Sequence, residues 1–213
     1  MRLTSFKMVG LVALLGVTGC FSTALPPTSD TPSTGLLFAE RKRLQSLATS
    51  HLGLNLDLGS LASTVAGYQY IFFVLPLARV YTPHLKDDLT EALLLEGALR
   101  GYNVQPISPT RAIAPLLHVK VTDFTVSGYD LLAVRRPSAR VTLHGELTTL
   151  EPDESSLRCV VSADFVSTAR FAFNPELTNA LSVALRDAAK ALFECLVRQS
   201  PLSTSAADRL HNR

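Results

Sequence analysis

The sequence predicts an α+β fold: a mostly antiparallel sheet of about five strands with two helices packed on one face, in the order β-α-β-β-β-β-α. Three observations lead there. Residues 116–172 hold three successive long stretches in which apolar and polar residues alternate with period two. Two stretches with apolar residues at spacings of three and four, 83–101 and 174–199, bracket those strands. The alternation makes one sheet face apolar and the other polar, so both helices belong on the apolar face. With 47% hydrophobic and 18% charged residues the chain is globular in composition. Residues 68–199 are enough for one α+β domain with one core.

The chain opens with a positive start, Arg2 and Lys7, then an apolar stretch from Met8 to Gly16, then Val17-Thr18-Gly19-Cys20. That order of charge, apolar run and small residues reads as a secretory signal peptide over residues 1–19. The apolar stretch is shorter than the ~20 residues that a spanning helix needs. A cysteine directly after Thr18-Gly19 resembles the lipobox of bacterial lipoproteins. In that family the cysteine carries acyl chains and becomes the first mature residue; the alternative is an ordinary cleaved signal with a chance cysteine. The chain has 20 Lys+Arg and 18 Asp+Glu, and loss of Arg2 and Lys7 leaves 18 of each. A mature chain with no net charge argues against nucleic acid as a partner. It also leaves membrane attachment to the lipid.

Residues 20–35 are rich in Pro, Ser and Thr and read as the lipidated cysteine and a flexible tether. Residues 36–67 form an apolar linker segment with two unsettled features. Phe38 to Ser50 has helical spacing, and Leu52 to Leu58 alternates as a strand or a hydrophobic flap. Tyr68 to Ala78 is an apolar, β-rich run and reads as one central strand. Thr82-Pro83 offers a cap and a first-turn proline for the helix carrying Leu85, Leu89, Ala92, Leu93, Glu96 and Leu99, which Gly101 stops. Tyr102 to Ile107 is a short strand, followed by strands at Leu116 to Val126, Ala139 to Leu150 and Leu157 to Ala172. Asn174-Pro175-Glu176 starts the last helix, which brings Leu177, Leu181, Leu185, Ala188, Leu192, Cys195 and Leu196 to the sheet. Residues 200–213 are a polar tail. Cys159 and Cys195 both fall on the apolar side, so a disulfide is permitted; two buried thiols is the other reading.

No motif for catalysis or cofactor binding stands out. The histidines (His51, His84, His118, His144, His211) form no H-x-x-H or H-E-x-x-H pattern, and C-x-x-C, G-x-S-x-G and the Gly-rich phosphate loops are missing. The sequence therefore gives no catalytic residue, no metal site and no cofactor. His118, His144 and Glu146 alternate onto the open sheet face, the one place where an enzyme of envelope polymers would find a cluster. Asp87-Asp88 suits the start of a helix, Asp153-Glu154 suits a turn, and Arg135-Arg136-Pro137 is a loop able to meet an acidic partner or phospholipid headgroups. Leu94, Val183, Phe193 and Val197 fall outside the main helix stripes and, with His118 and His144, make up the candidate interaction surface.

Leu75-Pro76, the helix from Pro83 with its Gly101-Tyr102-Asn103-Val104 exit, and Leu116 to Phe124 together resemble the small outer-membrane lipoproteins of Gram-negative bacteria. The nearest groups are the auxiliary lipoproteins of ABC-type envelope lipid transport and the related YajG-like lipoproteins; the lipopolysaccharide-assembly lipoprotein has a similar arrangement. The resemblance covers residues 68–198 and is one of pattern. It implies a membrane-anchored adaptor that binds a protein of an envelope transport or assembly complex and carries no catalytic residues. Phe21 after Cys20, where Asp would mark inner-membrane retention, implies the periplasmic face of the outer membrane. A lipid- or glycan-binding role for the open sheet face is the alternative.

Overall fold

The computed structural model describes residues 22–28, 50–63, 65–71, 75–107, 115–130, 136–148, 156–169 and 174–199. The signal peptide, Cys20, the helix expected after Phe38, Arg135, Asp153-Glu154 and the tail from 200 lie outside those residues.

The strands are β1 (Ser22–Ala24), β2 (Ser50–Asp57), β3 (Gly67–Ile71), β4 (Leu75–Tyr81), β5 (Tyr102–Pro106), β6 (Leu116–Asp130), β7 (Ser138–Thr148) and β8 (Leu157–Val166). The helices are α1 (Leu85–Leu99) and α2 (Asn174–Gln199), with a short 3-10 turn at Gly59–Ser63. The class is α+β with two helices, as the sequence implies, but among the described residues the sheet has eight strands and is mixed. β6 is its spine. On one side it pairs antiparallel with β7, and β7 with β8. On the other side its edge is shared: residues 116–120 pair parallel with β2 and residues 128–130 pair parallel with β3. β5 lies beyond β2, and β4 then β1 lie beyond β3.

The expectation of a mostly antiparallel five-strand sheet misses four parallel pairings: β1 with β4, β2 with β5, β2 with β6, and β3 with β6. Parallel partners come from distant parts of a chain, and no turn between neighbours announces them. Residues 50–57, within the linker segment where Leu52 to Leu58 reads as a strand or a hydrophobic flap, are strand β2 between β5 and β6, with Leu52 and Leu54 in the core. The single strand expected at Tyr68 to Ala78 is a hairpin, because Ile71 and Leu75 are paired across residues 72–74. Residues 22–28, read as part of a flexible tether, are docked: β1 adds to β4, and Leu25 is 2% exposed.

The alternation rule holds where it is strongest. Leu117, Val119, Val121, Val141 and Leu143 are buried, and a bulge between Val121 and Asp123 shifts the parity so that Phe124 and Val126 also join the core. α2 lies across β7 and β8, while α1 packs on β5 and α2. Gly145 leaves room for this: a Cβ there would stand 2.5 Å from Leu192 Cδ1 on α2. His84, not Thr82, is the N-cap of α1, and it makes no side-chain cap bond. Gly101 ends the turn after α1 in the left-handed region, at φ +81°.

Candidate functional site

Three places bear on function: the groove between the helices, the open sheet face and the N-terminal strap.

The groove has a volume of about 490 Å³ and is lined by Glu96 and Leu99 from α1, Arg100 at its C-terminal cap, and Val183, Arg186, Asp187 and Lys190 from α2. Arg100 spans it. Its guanidinium donates to the Glu96 carboxylate and backbone carbonyl, reaches the Lys190 carbonyl at 3.4 Å, and stands 3.6 Å from Glu194 Oε1. The same group lies 5.7 Å from the Phe193 ring centre, and Tyr102 stacks on that ring at 6.3 Å. Phe193 is thereby 2% exposed, and it leaves the candidate interaction surface. The reason is tertiary: Gly97 lets α1 come close, and a Cβ there would meet Phe193 Cζ at 3.2 Å. Leu94 is partly buried against the core. Val183 is half-buried and lines the groove, and Val197 is 40% exposed. Leu99, passed over in the sequence because helical spacing put it on the core stripe, is 53% exposed at the groove rim. Arg186 Nε is buried and has no hydrogen-bond partner among the described residues. The groove thus combines the apolar Leu99 and Val183 with charged side chains from both helices, suited to an apolar side chain flanked by polar groups.

The open face carries His118, His144 and Glu146, but not as a cluster. His118 is in register with Glu146, while His144 is in register with Lys120 and Val160. Glu146 is engaged by Arg158, whose Nε donates to Oε1 at 3.0 Å. A hydrogen bond from Ser156, then Arg158, holds the Glu146 carboxyl below its ordinary range. Thr142 and Ser162 share a 3.0 Å hydrogen bond, and Arg140 pairs with Asp164. Among the described residues, no group of three or more His, Cys, Asp or Glu is placed to hold a metal ion.

Cys159 on β8 and Cys195 on α2 are joined as a disulfide, with Cα atoms 6.1 Å apart. The strap is the feature that sequence reading missed. Leu25 N donates to the Tyr81 carbonyl at 2.9 Å, and both the N–H and the hydroxyl of Thr28 donate to Asp88 Oδ1 at 2.9 Å. Asp88 therefore holds the incoming chain as well as sitting in the first turn of α1. Burial pushes its carboxyl above the ordinary value, against the two Thr28 bonds, which favour the ionised form. The only sequence signal was the paired acid itself.

No family model and no curated protein matches the chain. Among solved structures it is similar to a Xanthomonas campestris protein of the DUF330 family, at 12% identity over 80% of this chain and 89% of that one, with a TM-score of 0.46. It is also similar to a minor lipoprotein from Acinetobacter baumannii (11% identity, 69% and 91% covered, TM-score 0.40). A third is a lipoprotein from Neisseria meningitidis (12% identity, 65% and 97% covered, TM-score 0.31). These are likenesses of general outline and assign no family or activity to this chain. Among the described residues, no helix is long and apolar enough to cross a membrane.

Proposed function

We propose that this chain is a lipid-anchored accessory protein of the Gram-negative envelope. Cys20 holds it to the periplasmic face of the outer membrane, and it serves a transport or assembly system by binding a partner protein, with no bond made or broken. The observation that carries the binding role is the groove between α1 and α2, lined by exposed Leu99 and half-buried Val183 among charged side chains. The polar groups of the open sheet face largely satisfy one another, which favours the groove over that face as the site of recognition. Lipid on Cys20 follows from the Val17-Thr18-Gly19-Cys20 sequence.

A photo-crosslinking residue at Leu99, in intact cells, tests this reading against the same residue at Val160 on the open face. A discrete protein adduct from Leu99 that disappears with Val183→Asp supports it. Adducts from Val160 alone would move recognition to the open face. Loss of cellular function from His118→Ala with His144→Ala, with partner capture intact, would favour an enzyme.

A further inference from the structure

The strap that follows Cys20 also fixes how the domain would stand on its membrane. Only Phe21 separates Cys20 from Ser22, the first residue of β1, so the anchor proposed above is two residues from that strand in sequence. β1 is parallel to β4, with Ser22 opposite Arg79, so the N-terminal end of β1 faces the end of the sheet where β4 begins. The β3–β4 hairpin closes at the same end, with Ile71 opposite Leu75. β6 also finishes there, with Tyr129 and Asp130 opposite Tyr70 and Ile71. β7 starts near it, with Ser138 opposite Ser127.

The side chains at this end suit a lipid headgroup layer. Tyr68 is exposed and Tyr70 half-buried; they share a face of β3, with ring centres 6.0 Å apart. Arg79 is exposed and lies in register with both Tyr68 and Ser22. Arg136 is exposed just ahead of β7. Tyrosine places an apolar ring and a polar tip at the bilayer boundary, and arginine forks onto phosphate.

We infer that the sheet end defined by Tyr68, Tyr70, Arg79 and Arg136 rests on the phospholipid surface, making the protein a fixed pillar on the membrane. The inference rests on the Cys20 anchor proposed above. Its consequence is an orientation. Lys120, in register with His144 and through it with Val160, is ten residues from the end of β6 at Asp130, about 33 Å along the strand. Arg100 of the groove adjoins Tyr102, which pairs with Ser50 at the start of β2, beyond the Gly53–Leu116 pair that opens β6. The groove thus points away from lipid, toward the aqueous space.

The chain contains no tryptophan, so one introduced indole reports alone. Full-length protein carrying Tyr70→Trp, Arg136→Trp or Val160→Trp is purified from membranes and reconstituted into phosphatidylethanolamine–phosphatidylglycerol vesicles brominated near the headgroup. Flotation and the intact mass of the N-terminal peptide report the anchor separately. Expected is at least a two-fold loss of emission for Tyr70→Trp and Arg136→Trp, with Val160→Trp unchanged. Vesicle-bound, acylated protein in which neither Tyr70→Trp nor Arg136→Trp is quenched, or in which Val160→Trp is quenched equally, overturns the orientation and leaves the anchor standing. Protein that lacks acyl mass and does not float overturns both.

Discussion

Replacing Asp88 separates two roles of one buried carboxylate. In Asp88→Ala the N–H and the hydroxyl of Thr28 lose their shared acceptor while the Thr28 side chain stays in a buried place. Losing a hydrogen bond to a buried carboxylate costs about 1–3 kcal/mol, so losing two costs roughly 2–6 kcal/mol. The loss falls on the strap, whose remaining described backbone tie after β1 is Leu25 N to the Tyr81 carbonyl. If about 2 kcal/mol of that appears as easier local opening, the Leu25 amide exchanges with solvent roughly 30-fold faster. Asp88→Asn has the opposite effect. Its amide oxygen still accepts from Thr28, and the burial that pushes the Asp88 carboxyl upward no longer opposes a charge. At Asp88 the native state binds more protons than the unfolded state above pH ~4, so this group's contribution to stability is greatest below that value and falls as pH rises through the elevated pKa. Asp88→Asn removes that slope and unfolds at the same or a higher temperature at pH 7. Hydrogen exchange at Leu25 and thermal unfolding between pH 4 and pH 8 measure both effects. Unchanged Leu25 protection in Asp88→Ala, or an undiminished pH slope in Asp88→Asn, would refute the reasoning.

Removal of the disulfide with Cys159→Ala and Cys195→Ala reopens a link across 36 residues, and loop-closure entropy puts the loss at about 4 kcal/mol in urea unfolding. Phe193→Ala lowers stability by about 3–5 kcal/mol, because the ring is enclosed by Tyr102, Arg100 and the α1 backbone at Gly97; a loss under about 1 kcal/mol would show the ring to be peripheral. Gly67→Ala places a Cβ 1.7 Å from the Val126 carbonyl oxygen, a backbone atom that cannot swing aside, and costs about 3 kcal/mol by the same measurement. Leu99→Asp leaves stability within about 0.5 kcal/mol of wild type, since the side chain is 53% exposed, and abolishes the partner adduct of a photo-crosslinking residue placed at Val183.

The sequence by itself determined what depends on neighbours along the chain. Alternation assigned the faces of β6, β7 and β8, because successive side chains of a strand point to opposite sides. Asn174-Pro175 and Gly101 marked helix ends, because caps answer local backbone needs. Tertiary structure decided what depends on meetings between distant segments. Leu52 to Leu58 alternates as a strand should, yet only the gap between β5 and β6 makes it a central one. Phe193 lies off the main stripe of α2, yet α1 and Tyr102 cover it. Residues 22–28 have the composition of a tether, and what docks them is an acid sixty positions away at Asp88 together with the free edge of β4. Hydrogen bonds and burial act through space, so a local pattern can show that a segment is able to join a sheet but not which edge will take it.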